Sequence, residues 1–451
     1  MKETIQQEFL SEILVEILGA LDQKKHEAVS EKLKQLHEAD IALILESLPA
    51  DDRSIVFDLV PAEMHGAILA EVSDGVRPSL VEELEPEELR QAVESMDMDD
   101  LADFVGELPD RVARDLLDTM DAQDRARLEE ALSYEEETAG GLMEPVTVTL
   151  RPHLTVATVL RYARRRGLPD RTDKLFVVDE EGILKGSLRL SYLVSSSENA
   201  TVESIMSNTP RTILVSTPQD EVARLFERYD LISAAVVDAK GKLLGRITID
   251  DVVDIIRDEG EQQMMNMAGL SEDEDLFGPV AQTSRNRSLW LVFNLVAAFI
   301  ASWVIGLFEA RIEKLVALAV LLPVVASLAG NVGNQALTVV IRGLATGQIS
   351  PGNRGDLFRK ELLVGLTNGL MFATLVGAVV FVWFDNWLLG LVIALAVAVN
   401  LLTAAGLGSI IPLVLKRFGV DPPVAGGVLL TATMDMLGYF VFLGLASVIL
   451  F

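Results

Sequence analysis

No cysteine occurs anywhere in the chain, which excludes disulfides, thiolate metal sites and thiol redox chemistry. Histidine is nearly as scarce: His26, His37, His65 and His153 are the only four, and all precede residue 154. The apolar C-terminal part therefore holds neither a zinc HExxH site nor a Ser–His dyad, and no enzyme is expected there. Basic residues are also few, 38 Lys and Arg against 67 Asp and Glu, and the deficit is uneven. Residues 286–451 hold nine basic and seven acidic side chains, a net charge of +2, which leaves 29 basic and 60 acidic residues in 1–285, a net charge of −31. A surface this acidic repels nucleic acid and anionic lipid, and repels itself unless cations are bound. The opening Met1-Lys2-Glu3-Thr4-Ile5-Gln6 has no basic stretch followed by an apolar one, so no cleavable signal peptide is expected and the acidic part should stay in the cytoplasm.

The near-neutral part contains five apolar stretches long enough to cross about 30 Å of hydrocarbon, near 288–308, 315–341, 362–384, 387–415 and 424–450. Arg285 and Arg287, the group Arg342, Arg354, Arg359 and Lys360, and the pair Lys416 and Arg417 all fall on one side, whereas the turn at Asp385 and Asn386 has no base. The positive-inside rule then puts the N-terminus in the cytoplasm and Phe451 outside, in a plasma (inner) membrane with lipid as its solvent. Within the last stretch lies Asp435, the single Asp deep in any span, beside Thr431, Thr433 and Gly438. An acid within the membrane marks a functional site by default. The second stretch carries Pro323 and the run Gly330-Asn331-Val332-Gly333-Asn334-Gln335, whose amides hydrocarbon does not tolerate unpaired. Asn368 and Asn400 are isolated and read as packing residues.

The acidic part opens with a repeat. Leu36, Leu48, Val60, Val72, Leu84, Met96, Leu108 and Met120 recur every twelve residues, mostly followed by Pro, Asp or Glu and a short helical pattern. Twelve residues suit one short helix and a turn, and stacked units form an all-α superhelical solenoid. Asp99 and Asp103 share a helix face there. From about residue 139 the pattern becomes strand-rich and duplicated. Leu175-Phe176-Val177-Val178-Asp179 with Gly186 is echoed by Ala234-Ala235-Val236-Val237-Asp238 with Gly245, and each copy follows a Met-containing lead-in, Met143 or Met206.

This duplicated pattern resembles a CBS-domain pair, an α/β module that implies a regulatory ligand site, often for adenine nucleotides such as ATP. Gly245, Thr248 and Asp251 are similar to the positions that hold phosphate and ribose, whereas the first copy has Tyr192 where the matching Asp would fall. The order of solenoid, CBS pair, connecting helix and five spans resembles the MgtE family of magnesium channels over essentially the whole chain. That resemblance rests on Glu137-Thr138-Ala139-Gly140-Gly141-Leu142-Met143, the 330–335 run, and Asp435 with Gly438. It implies domains at 1–138, 139–200, 201–258, 259–286 and 287–451. It further implies a homodimer with its ion path at the dimer interface, lined by Asp435, Thr431, Asn331 and Asn334. Cytosolic Mg²⁺ would bridge Asp99, Asp103, Asp220, Asp230, Asp251 and Glu259 and hold the path shut. The chain departs from the family's pattern at Gln262 and Gln263, where further acids are expected, and at Gly427. An ion-coupled secondary transporter of divalent cations and a membrane-anchored nucleotide sensor are the alternative readings.

Overall fold

The computed structural model describes residues 2–81, 84–94, 96, 98–108, 110–145, 148–169, 171–270 and 274–451. They fall into two compact units, Met1–Gly260 with Asp273–Pro279, and Glu261–Glu272 with Val280–Phe451.

In the first unit the twelve-residue repeat is a succession of short helices. After Lys2–Asp22 come His26–Leu33, Glu38–Glu46, Ala50–Asp58, a 3₁₀ turn Ala62–Met64 leading into His65–Glu71, then Arg77–Val81, Pro86–Val93, Met98–Glu107, Asp110–Thr119 and Ala122–Ala131. Each repeat residue sits just beyond a helix C-terminus, where the chain turns inward: Leu48, Val60 and Val72 are buried, and the others pack against the same core. Helix starts follow from local chemistry. Pro49 and Pro61 are N-caps with extended backbone, Pro86 occupies the first turn of its helix, and the Glu88 carboxylate accepts the Glu85 N–H at 3.0 Å.

The strand-rich part is two interlocked copies. Thr149–Leu150, Lys174–Val178 and Leu184–Arg189 form one sheet, whereas Thr212–Leu214, Ser233–Val237 and Leu243–Thr248 form the other, with Glu144–Pro145 added at its edge. Glu144–Pro145 is the lead-in of the first copy, yet it pairs antiparallel with the second copy, Glu144 opposite Arg246. The lead-in of the second copy returns the exchange, since Ser207 bridges Ser187. The glycines explain why both lead-ins carry methionine: a Cβ at Gly245 would fall 2.8 Å from Met143 Sδ, and one at Gly186 would fall 2.9 Å from Met206 Sδ. Each sheet edge is closed by the other copy's methionine lying over a residue without a side chain.

The helix after the second copy, Ile249–Met267, does not run on to the membrane as the sequence suggested. It ends at Met267 with Gly269 at positive φ, and the next helix starts at Val280. The intervening Gly269, Gly278 and Pro279 disfavour helix.

The second unit has five helices long and apolar enough to span: Val280–Gly306, Ala317–Ala345, Arg354–Phe384, Trp387–Arg417 and Pro422–Ile449. Spans three and four approach through small residues, and a Cβ at Gly365 would stand 2.6 Å from that of Ala405. Spans two and four meet as closely, because a Cβ at Gly408 would fall 2.4 Å from the Gly333 carbonyl. The turn between spans three and four is made by Asp385 in the left-handed conformation and Asn386, whose Oδ1 accepts the Leu389 N–H at 3.1 Å.

Candidate functional site

Two groups of polar side chains stand out, one in each unit. In the membrane unit, spans two and five run antiparallel in tight contact. Leu430 fills the space at Gly333, Leu337 fills that at Gly426, and Val325 lies against Gly438. This register sets Asp435 level with Leu328, and Asn331 about 4.5 Å further along the helix at 1.5 Å per residue. Between residues 327 and 338 of span two the exposed positions, Ser327, Asn331, Asn334, Gln335 and Thr338, are all polar, with exposed Val320, Pro323 and Val339 at either end; on span five Thr431 is exposed and Asp435 half-buried, between exposed Leu429 and Leu437. Asp435 has no hydrogen bond or ion pair among the described residues. The four residues expected to line a path are thus presented by two adjacent helices. Asn400 is different. It is 1% exposed, its amide Nδ2 donates to the Gly438 carbonyl at 3.3 Å, and its Oδ1 has no partner among the described residues. It packs span four on the helix bearing Asp435, as its isolation in the sequence suggested.

In the first unit the carboxylates collect around the helix Ile249–Met267. Asp251 Oδ2 accepts the Thr248 N–H at 3.1 Å and the Thr248 hydroxyl at 2.9 Å. Burial, then the adjacent Asp250 carboxylate, and more weakly Asp100 from the solenoid helix Met98–Glu107, push its carboxyl up to about 6, against the lowering effect of Thr248. Asp250 keeps a buried Oδ1 without a partner among the described residues, although its other oxygen pairs with Arg171. One turn on, Asp254 is raised by burial and by Asp258, Glu71 and Asp250, partly offset by Arg257. Glu259 is raised by burial and by Asp220, whose own ion pair is with Arg224 at 2.7 Å.

The residues named from the sequence therefore divide. Asp220 and Glu259 are brought together, and Asp251 joins the cluster with Asp100. Asp103 is half-buried on the solenoid helix. The side chain of Asp99 lies outside the described residues, though its backbone is in the same helix. Asp230 stands apart, exposed in left-handed conformation at the end of Gln219–Tyr229. Glu71, Asp100, Asp250 and Asp254 are additions that sequence reasoning missed, and the doublets Asp99-Asp100 and Asp250-Asp251 were the available signal. Among the described residues no three acidic or histidine side chains converge as a ready-made chelate. The arrangement is of facing carboxylate pairs.

At the suggested nucleotide positions, Gly245 is covered by the first lead-in and Thr248 is bonded to Asp251. The nearby cleft, lined by Glu144, Thr172, Lys174, Phe176 and Arg246, holds about 20 Å³, the space of one water. Arg246 crosses it to Glu144, with Nε to Oε2 at 2.7 Å, and reaches Thr172 Oγ1 at 3.2 Å.

Comparison with known proteins shows what the chain is similar to. Residues 322–445 match the family model for the divalent cation transporter domain MgtE, 36–137 match the MgtE intracellular N domain, and 202–258 match the CBS domain. The magnesium transporter MgtE of Thermus thermophilus is 33% identical over 447 residues, covering 97% of this chain and 98% of that one. Its counterpart from Bacillus subtilis is 26% identical, covering 97% of each. The crystal structure of the cytosolic domain of the Mg²⁺ channel MgtE in complex with ATP covers 54% of this chain and 99% of its own, at 34% identity and a TM-score of 0.50. With a solenoid, a CBS pair and five spans matched along nearly its whole length, this chain belongs to the MgtE family of transporters.

Proposed function

We propose that the protein conducts Mg²⁺ across the inner membrane as a homodimer, and that Mg²⁺ on the cytosolic side closes it by bridging carboxylates of the acidic unit. The observation that carries the reading is the polar stripe of spans two and five. An acid facing lipid at mid-membrane costs about 2.5–3.5 kcal/mol on insertion scales, and exposed amides and hydroxyls add to that. A second copy applied to this face would remove the stripe from lipid and set two Asp435 carboxylates about one axis. Mg²⁺ sheds water reluctantly and takes one or two carboxylates while keeping several waters. Thr431, Asn331 and Asn334 supply oxygens to that hydration shell, weakly enough for the ion to leave. The relatives that match end to end bear the name magnesium transporter, which supports the choice of ion.

Closure follows from the charge. Asp100, Asp250 and Asp251 lie close enough to raise the last of them, and Glu259 and Asp220 do the same. A divalent cation between such pairs removes the repulsion and stabilises the closed arrangement, whereas its loss lets the solenoid and the CBS pair separate. Functional domains are assigned to 1–138, 139–200, 201–258, 259–286 and 287–451, with the N-terminus cytoplasmic and Phe451 outside. ATP is a second regulatory ligand on this reading, favoured by the ATP-bound relative; to enter it must part Thr248 from Asp251 and open the cleft at Arg246. Titration calorimetry with ATP tests that step, and binding unchanged by Asp251→Asn excludes the site.

Flux of Mg²⁺ into proteoliposomes is the test of the main reading. Wild-type protein should conduct, Asp435→Ala should not, and Mg²⁺ bathing the cytosolic domains should suppress the flux. Flux equal in wild type and Asp435→Ala would sink the proposed path, and flux only with an imposed co-ion gradient would favour a coupled transporter.

A further inference from the structure

Arg53 is a cation with 1% of its surface exposed, in the helix Ala50–Asp58 of the solenoid. Its Nε donates to the Leu45 carbonyl at 3.0 Å and its Nη2 to the Leu48 carbonyl at 3.1 Å, closing the end of the preceding helix. Two repeats later Arg77 does the same, with Nε to Leu69 O at 2.9 Å and Nη2 to Val72 O at 3.0 Å. The carbonyl contacts are thus a device of the repeat. Their charge partners differ. Arg77 pairs locally with Asp74, three residues earlier and largely exposed, at 3.1 Å. Three residues before Arg53 stands Ala50. The place of the missing carboxylate is taken from 222 residues away, by Asp275, whose two oxygens accept from Nη1 at 2.8 Å and Nη2 at 3.1 Å. This fork-to-fork pair is buried at the Arg53 end and largely covered at the other, the Asp275 side chain being 12% exposed. Asp275 in turn shapes its own loop: Oδ1 accepts the Phe277 N–H at 2.9 Å and the carbonyl accepts the Gly278 N–H at 3.2 Å.

We propose that residues 274–278 form a strap, held in the Arg53 site of the solenoid, that ties the N-terminal domain to the chain entering the first span, and that its release is a step in opening the path. The proposal rests on the channel reading above. The placement carries it, because Gly278 is separated from the first span by Pro279 alone, so a solenoid that moves draws on that span through this pair unless the pair breaks. A buried guanidinium that loses its carboxylate is left uncompensated, so the tie is either made or open to water, with little between.

The test uses full-length protein and two variants that leave Arg53 in place. Asp275→Ala removes the strap's anchor, and Ala50→Asp supplies Arg53 with a local carboxylate like that at Asp74, so that Asp275 is displaced. Both should speed amide exchange at 276–278 by about tenfold or more, as loss of a bidentate charge-assisted pair requires, and leave the helix Glu38–Glu46 protected. In proteoliposomes both should raise severalfold the cytosolic Mg²⁺ needed to suppress flux. Unchanged exchange at 276–278 in both variants would overturn the strap. Faster exchange with an unshifted suppression curve would overturn its role in opening. Wild-type flux indifferent to cytosolic Mg²⁺ would remove the gating reading itself, and with it that role, while the exchange data, which need no flux, still decide whether the tie exists.

Discussion

Replacing Asp251 by Asn should make the cytosolic unit more stable when no divalent cation is present. The folded protein holds this carboxyl at about 6 against an ordinary 3.8, so keeping it ionised at neutral pH weakens the folded state by up to about 3 kcal/mol. Asparagine removes the charge and keeps an oxygen that can accept from the Thr248 N–H and hydroxyl, which now bond Oδ2 at 3.1 and 2.9 Å. The weakening of these two bonds on neutralisation is already contained in that value, so the gain in chelator is up to about 3 kcal/mol. With millimolar Mg²⁺ the order should reverse, because the wild type gains the bridging ion and the variant loses a ligand to it. Limited proteolysis of the full-length protein at pH 7.5, with chelator and with Mg²⁺, measures both. A variant cleaved faster than wild type in chelator, or protected equally by Mg²⁺, would refute the account of this cluster.

The same cluster predicts a pH dependence. The folded-state pKa of Asp251 lies above the unfolded value, so its contribution to stability is complete below pH 3.8 and is lost as pH rises through about 6; in chelator, protection from protease should be greater at pH 5 than at pH 7.5, and Mg²⁺ should flatten the difference. In the membrane unit, Gly408→Val should lower the thermal stability of the detergent-solubilised protein by at least about 1–3 kcal/mol, since even a Cβ there would fall 2.4 Å from the Gly333 carbonyl; an unchanged melting temperature would count against that helix contact. Asn400→Leu should be tolerated within about 1 kcal/mol, because the hydrogen bond lost to Gly438 is modest in a membrane and the unpartnered Oδ1 goes with it; a large loss on thermal melting would show that Oδ1 has a partner.

Much of the architecture was legible because it repeats or because lipid imposes it. The twelve-residue spacing of Leu48, Val60 and Val72 marks where each solenoid helix ends, and five apolar stretches became five spanning helices. Paired strand patterns, each with a glycine and a methionine lead-in, announced two copies of one module. What stayed hidden depends on distance along the chain. Nothing in Glu144-Pro145 says that it completes the other copy's sheet, and nothing in Arg53 says that its counter-ion lies at 275. The acidic cluster was half legible: Asp220, Asp251 and Glu259 come from the resemblance and Asp254 follows Asp251 on the same helix, but Asp100 and Glu71 join only when solenoid helices face it. Local pattern also misjudged the connecting helix, since the apolar and acidic residues after Glu259 suit a helix that Gly269 ends.

The exchanged lead-ins of the CBS pair bear on how this protein is made. The second sheet needs Glu144 and Pro145, synthesised some hundred residues before Leu243–Thr248 against which they pair. The first copy likewise awaits Ser207 to close on Ser187. The first sheet can close only once Ser207 has emerged, and the second only once the strand ending at residue 248 has. A truncation between them should leave two unfinished sheets with exposed edges, prone to aggregate, instead of one sound half.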